Sequence, residues 1–467
     1  MSSAEEGRMT DRRNGLRIAW LGDDFTGSAA VMEVLAFAGL PSVLFTQVPG
    51  PDLLARFADV AGLGIATTAR AEGPDWMAAH LPGLFRALDA LDPALIHYKI
   101  CSTFDSAPHA GSIGAAIAAG LAVRPSEAVA LLTAAPAMRR YQAFGHLFAG
   151  APGGVFRLDR HPVMAHHPVT PMAESDLLAH LAAQTDLPGA LIDLEALATD
   201  PQARLEAALA GGARILSIDS MEPGSEAAAG ALIWHNRARM GLVAGSQGVE
   251  YALVRHWQRT GEIPTAAPPG SAGAVDRIAV VSGSVSPVTA AQLAWAEGRG
   301  FALLPFDARA ACGSEAALEA EVACLTRAGL AAAEAGQSPL IHSAAGHRGD
   351  QVAAFRHALA ASGIAADIAN RRIGEALGRI LDRVLRGSGI RRSVISGGDT
   401  SGHAMRQLGL QALTALAPTI PGAALCRAFG DGPHDGLEIA LKGGQMGSQD
   451  YFGWIRDGGG PRRGTPT

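Results

Sequence analysis

Two acids stand side by side at Asp23 and Asp24, in "GDDFTG", where a short apolar run gives way to an amphipathic one. Adjacent carboxylates repel, and each raises the cost of ionising the other. Such a pair belongs in a solvated turn, beside a cation, or against a hydroxyl-bearing ligand. Three further polar clusters close apolar runs in the same half of the chain. They are "ATTAR" (Thr67, Thr68, Arg70), "HYKICSTFDS" (Lys99, Cys101, Ser102, Thr103, Asp105) and "AAPAMRRYQAFGH" (Arg139, Arg140, His146). If these runs are parallel strands, their ends open on one edge of a sheet. Two acids, an arginine, a lysine and several hydroxyls, Thr26 among them, would then converge. The cations suit a carboxylate; the acids and hydroxyls suit a polyol chain. Capping the next helix explains one of the two aspartates, but not both.

The second half carries three glycine-rich turns after apolar runs. "SGSVSPVTAAQL" places Ser282, Gly283, Ser284 and Ser286 ahead of a helix starting near Pro287. "ISGGDTSGHAMRQL" places Gly397, Gly398, Asp399, Thr400 and Ser401 at the same kind of junction, and "LKGGQMG" follows the last run. Glycine lets backbone N–H groups approach a phosphate, and a helix start adds positive potential. Each turn alone reads as ordinary capping; three on one edge read as a nucleotide site. No G-x-x-x-x-G-K-[ST] loop, no G-x-G-x-x-G after a strand and no G-x-S-x-G elbow occurs, which argues against P-loop, dinucleotide and α/β-hydrolase chemistry. His161, His166 and His167 lie in a proline-punctuated loop without zinc spacing, and no residues are assigned to a metal. Cys101 reads as a small buried side chain, and the stretch from His342 through His347 and Arg348 to Asp350 as a solvated turn.

The elements that must place these residues appear as alternating runs. Short strands, "RIAWL", "SVLF", "GLGIAT", "ALIHYK", "AVALLTA", "ALIDL", "RILSID" and "GLVAGS", recur between Ala/Leu-rich stretches of helical length. "TGEIPTAAPPGSAGAVD" interrupts the alternation, which restarts with "RIAVVSG" and runs through "FALLPF", "PLIHSA", "SVISGG" and "LEIALKGG". This spacing predicts βαβ crossovers. The expected fold class is α/β, in two domains, each a mostly parallel sheet flanked by helices, with an interdomain cleft. The expected bounds are 15–258 and 276–456, joined by a linker over 259–275, with 1–14 and 457–467 as disordered tails.

Bulk properties narrow the setting. A formal charge of −6 over 467 residues, with no basic block, argues against nucleic acid. Four scattered cysteines without a C-x-x-C pair suit a reducing cytosol. The N-terminus lacks the apolar core of a signal peptide, and the longer uncharged runs are broken by Pro and Gly, so no membrane span is expected. A cytoplasmic protein is the expectation, with association between copies left open.

Taken in order, the pieces resemble the four-carbon acid sugar kinase family. The resemblance covers nearly the whole chain: "DDFTG", "TTAR", "YKICST", "GHLFAG", "HPVTPMAESDL", "GLVAGSQGV", "GSVSPVTAAQ", "GGDTSG" and "LKGGQMG". It implies an N-terminal substrate domain, a C-terminal ATP domain and phosphorylation of a hydroxyl of a small sugar acid or 3-oxo acid, with ATP and Mg²⁺. It implies ATP contacts at Ser284, Gly397, Gly398, Asp399, Thr400 and Gly444. It places the acid sugar at Asp23, Asp24, Thr26, Arg70, Lys99, Cys101, Ser102 and Thr103. Two departures stand out. Cys101 and Phe104-Asp105 replace the Asp and Leu-Arg of the usual K-x-D-S-T-L-R-G-N, and "KGGQMG" replaces K-S-G-N-F-G. The first leaves the sugar acid open, branched oxo-acids derived from apiose included.

On this reading Arg70 and Lys99 fix the carboxylate, and Asp24 orients the attacking hydroxyl and accepts its proton. Asp23 supports it or caps the helix, Asp399 contacts magnesium or ribose, and domain closure brings the two sites together. Three other classes stay in view: a ligand sensor that lost turnover, a metal-dependent hydrolase or lyase using Asp23 and Asp24, and a kinase for a neutral polyol.

Overall fold

The structure is a computed structural model. It describes residues 15–462 except 152, 168, 266, 268, 345 and 347–349, and the backbone only of Asp399. The chain divides into two compact units after Ala267.

In the first unit the apolar runs form β1 (Ile18–Gly22), β2 (Ser42–Phe45), β3 (Gly62–Ala66), β4 (Leu95–Lys99), β5 (Val129–Leu132), β6 (Arg140–Ala143), β7 (His146–Ala151), β8 (Gly154–Arg157), β9 (Gly189–Ile192), β10 (Ile215–Ile218) and β11 (Leu242–Gly245). The main sheet runs β2-β3-β1-β4-β11-β5-β10-β9, and each neighbouring pair is parallel. Every residue of β1, β3 and β4 is buried, as a parallel sheet covered on both faces requires. After β1 the chain builds β2 and β3 on one flank, then crosses to β4 on the other. The order therefore reverses between β1 and β4, where open α/β sheets bind ligands.

Strands β6, β7 and β8 form a separate antiparallel sheet. It grows out of "AAPAMRRYQAFGH", read from sequence as a polar strand end. The hairpin turns on Phe144 and Gly145, at φ 50° and 80°, a two-residue turn with both central residues left-handed. Phenylalanine in place of the usual Asn or Asp hides that turn in the sequence.

The second unit contains β12 (Ala279–Ser282), β13 (Phe301–Pro305), β14 (Ser338–His342), β15 (Arg392–Ser396), β16 (Leu410–Ala417), β17 (Leu425–Gly430) and β18 (Glu438–Lys442). Its order is β13-β14-β12-β15-β18-β17-β16. The first five are parallel, and β17 and β16 add on antiparallel. Strand β12 has β14 on one side and β15 on the other, so a second reversal falls between β12 and β15.

Part of the stretch read as linker, and part of that read as tail, are packed in this unit. Ala272 N donates to Gly458 O at 2.8 Å and Val275 N to Arg456 O at 2.9 Å. The buried Arg392 donates to Gly273 O at 2.8 Å. Gly460 N reaches Pro418 O at 2.7 Å, and Arg462 lies 4.1 Å over Trp454. Paired backbone and a cation on an aromatic face fix these segments despite their Gly/Pro composition.

Candidate active site

The turn after β1 holds both aspartates. Asp24 is the N-cap of the helix Phe25–Phe37, so the cap is Asp24 rather than Asp23. Its Oδ1 accepts from Gly27 N at 2.8 Å; its Oδ2 accepts from Thr26 Oγ1 at 2.7 Å and Arg70 Nη1 at 2.9 Å. Asp23, only 3% exposed, takes the same guanidinium in a fork, at 3.1 Å from Nε and 2.7 Å from Nη2. One arginine thus binds both acids, which answers the repulsion posed by their adjacency.

The "TTAR" turn after β3 holds Arg70 in place. Thr67 Oγ1 donates to Gly22 O at 2.7 Å, and Arg70 N donates to Asp23 O at 3.0 Å. Lys99, at the end of the neighbouring β4, is 1% exposed and donates to Ile100 O at 2.5 Å. A Cβ on Gly27 would fall 2.4 Å from Asp24 Oδ1 and 2.7 Å from Lys99 Nζ. Only glycine there lets the carboxylate and ammonium approach the helix start.

The electrostatics separate the two acids. Burial pushes Asp24 up, but Arg70, Lys99, the Thr26 hydroxyl and the Gly27 N–H together hold its carboxyl below the usual range. Burial dominates at Asp23 and leaves its carboxyl raised, Arg70 offsetting this only in part. Asp24 is therefore a fixed, ionised acceptor with a side chain 23% exposed.

The turn after β4 forms a second chain of contacts. Cys101 Sγ lies 3.0 Å from Thr103 Oγ1, which donates to Asp105 Oδ1 at 2.7 Å. Burial, then the charge of Asp105, pushes the Cys101 thiol up, so it is not an activated nucleophile. Phe104 sits left-handed at φ 59° and is fully buried, which turns Asp105 back toward Thr103. Ser102 lies in the same turn.

Arg140, on β6, carries more than the sequence showed. Burial lowers its pKa, partly offset by the charges of Cys101 and Asp105. Its Nη1 makes only long bonds, at 3.2–3.3 Å, to the carbonyls of Met138, Arg139 and Gly150. Its Nε is buried and unpartnered, and no acid among the described residues pairs with it. Arg70, by contrast, is already taken by Asp23 and Asp24.

In the second unit the three glycine turns meet at the reversal point. A Cβ on Gly283 would come 2.1 Å from Thr400 Oγ1, one on Gly444 2.4 Å from Ser284 Oγ, and one on Gly397 2.9 Å from Thr400 Oγ1. Thr289 Oγ1 bonds to Ser284 Oγ and Gly444 O, both at 3.0 Å. Ser284, Gly397, Thr400 and Gly444 are thus brought together. Gly398 opens the helix Gly398–Gln407, and a side chain on it would meet open space. The Asp399 side chain lies outside the described residues. Thr289 and the buried Lys442 join this cluster unforeseen; both sit on regular elements, where hydrophobic runs draw the eye away from single polar residues.

A cavity of about 470 Å³ lined by Arg17, Asp92, Arg124 and Arg237 precedes β1, β4, β5 and β11, at the opposite strand ends from these clusters. Among the described residues no group of three His, Cys, Asp or Glu could hold a metal, and no helix is long and apolar enough to cross a membrane. The hydroxyls of Ser284 and Thr400 at the glycine turns are a donor set that would suit a phosphate-bound Mg²⁺, because magnesium keeps several waters and takes only one or two protein oxygens beside phosphate.

Comparison with known proteins agrees with this division. Residues 18–253 match a sugar-binding N-terminal domain, and residues 279–452 a nucleotide-binding C-terminal domain. A 3-oxo-isoapionate kinase of Paraburkholderia graminis is 43% identical over 446 residues, covering 95% of each chain. A 3-oxo-tetronate kinase of Pseudomonas fluorescens is 30% identical, covering 92% of this chain and 94% of that one. The crystal structure of Haemophilus influenzae protein HI1011, of the DUF1537 family, shares the fold at a TM-score of 0.68 and 22% identity, covering 94% and 99%. With both domains matched in order and relatives alike along nearly its full length, the chain belongs to the four-carbon acid sugar kinase family.

Proposed function

We propose that the chain is an ATP-dependent kinase that phosphorylates a hydroxyl of a 3-oxo sugar acid, a branched five-carbon acid such as 3-oxo-isoapionate in preference to a linear tetronate. The observation that carries the reaction type is the fixed, ionised carboxylate of Asp24 at the switch point of the first sheet. The preference for the branched acid follows the 43% identical relative and the replacement of an arginine by Asp105.

Asp24 accepts a hydrogen bond from the attacking hydroxyl and takes its proton as transfer proceeds. Being acceptor-only when ionised, it selects a hydroxyl and orients its lone pair. Arg70 grips both acids, holding Asp24 ionised and offsetting in part the burial that raises Asp23, and Lys99 adds positive potential behind the acceptor. Arg140, which has no acid partner among the described residues, receives the substrate carboxylate, while Asp105 and Thr103 take its remaining hydroxyls. In the second unit Ser284, Gly397, Gly398, Thr400 and Gly444 cradle ATP. The hydroxyls of Ser284 and Thr400 are the oxygen donors offered to Mg²⁺, which when bound neutralises phosphate charge. Transfer needs the terminal phosphate within reach of the acceptor oxygen, so the two sites must meet during the reaction. Four cysteines without disulfides suit a reducing cytosol as the working compartment.

The test is MgATP-dependent ADP release over 3-oxo-isoapionate, 3-oxo-tetronates, the corresponding reduced acids and a no-acceptor control. The reading expects the branched 3-oxo acid to give the highest kcat/KM. Equal turnover with neutral polyols would reject a sugar acid as the acceptor.

A further inference from the structure

Two lysines end parallel strands in this protein, Lys99 on β4 and Lys442 on β18. In each, Nζ donates to the carbonyl of the next residue, at 2.5 Å to Ile100 and 3.1 Å to Gly443. Each is buried, at 1% and 0% exposure. They differ in their counter-charge. Lys99 lies in the field of Asp23 and Asp24. Lys442 has no carboxylate partner among the described residues, and its second contact is a long one, 3.4 Å to Thr289 Oγ1. An ammonium has three donors, so at least one has no partner among the described residues. Burial alone pulls its pKa down to about 8. A buried charge without a partner is costly, and a chain keeps one where a ligand completes it.

The surroundings identify that ligand as an anion. Gly397 N donates to Lys442 O at 2.9 Å, so the lysine sits beside the start of the helix Gly398–Gln407. No side chain caps that helix, which leaves its first N–H groups to an anion. Thr289, which Lys442 touches, passes directly to Ser284 and Gly444.

We infer that Lys442 is the counter-charge to the phosphate chain of a bound nucleoside triphosphate, donating its free N–H to a phosphate oxygen at the uncapped helix start. The inference rests on the reading of the second unit as the ATP site and names the cation of that site. It does not depend on the acceptor.

Full-length wild type, Lys442→Met and Lys442→Gln would be titrated calorimetrically with MgATP, MgADP and adenosine. The expected result is a loss of about 100-fold or more in MgATP affinity in both variants, a smaller loss for MgADP, and adenosine binding within about twofold of wild type. Circular dichroism confirms the fold, and the glutamine variant stands in if methionine does not fold. Unchanged MgATP affinity in a folded variant overturns the inference. So does an equal loss for ATP and adenosine, which marks a purely structural role. Absence of nucleotide binding in wild type overturns both this and the reading of the second unit. Nucleotide binding through Lys442 without phosphorylation of any sugar acid supports the inference while rejecting the kinase.

Discussion

Replacing Lys442 by methionine should make the ligand-free protein more stable. The lysine is fully buried, and its fall from 10.5 to about 8 corresponds to about 3 kcal/mol of burial cost at neutral pH. Its two protein hydrogen bonds, at 3.1 and 3.4 Å, return about 0.5–1 kcal/mol each. Methionine matches the stem and carries no charge, so the net gain for the second unit is about 1–2 kcal/mol. That is about 3–6 °C for a unit of this size. The sign with pH is fixed by linkage. Below about 8 the lysine is protonated in both states and its cost is fully present. Between about 8 and 10.5 the unfolded chain holds the proton and the folded one does not, so wild-type stability rises with pH and the gap to the variant closes. Calorimetric and urea unfolding of both proteins at pH 7 and pH 10, without nucleotide, measures this. MgATP in large excess should reverse the order, since an affinity about 100-fold tighter stabilises wild type by about 2.7 kcal/mol more than the variant. A variant less stable than wild type at pH 7, or a gap independent of pH, would refute the reasoning.

Arg70→Met strips two acids of their shared cation, and the first unit should lose about 3 kcal/mol in urea unfolding, partly restored by adding Asp23→Asn. Gly283→Ala drives a methyl to 2.1 Å from Thr400 Oγ1; it should cost about 1–3 kcal/mol and weaken MgATP binding by calorimetry at least about tenfold. Because the Cys101 thiol is pushed up and Cys324 is exposed, iodoacetamide at neutral pH should label Cys324 first by mass spectrometry, and labelling there should leave turnover intact.

The main sheets were legible because buried parallel strands repeat as apolar runs at regular spacing, and the switch-point turns followed from where those runs stop. That Asp23, Asp24, Arg70 and Lys99 lie together was legible because strand ends of a parallel sheet share an edge. What escaped did so for physical reasons. Strands β6–β8 form a small, largely half-buried sheet rather than a fully buried one, and their turn carries Phe144 where Asn or Asp is the usual signal. Strand β16, "LQALTALA", is Ala/Leu-rich, so its composition suits a helix equally well, and β17, "LCRAFG", has no β-branched residue to mark it as a strand. The division of labour proposed for Arg70 and Arg140 rests on which guanidinium is already paired with acids, which spacing does not encode. Lys442 reads as the end of a strand, and what distinguishes it is that no carboxylate pairs with it among the described residues.

In the proposed mechanism Asp24 positions and deprotonates an acceptor hydroxyl for transfer from ATP. Asp24→Asn is nearly isosteric and keeps an oxygen for the Gly27 N–H cap, so the fold should hold. Wild type should phosphorylate the 3-oxo acid with no Asp24-dependent acid limb above about pH 5, because its carboxyl is held below the usual 3.8. The direct measurement is kcat of Asp24→Asn with MgATP and the best 3-oxo acid, beside nucleotide affinity. If Asp24 is the base, kcat falls by about 10²–10⁴-fold with MgATP binding unchanged. A variant within about threefold of wild-type kcat would contradict it.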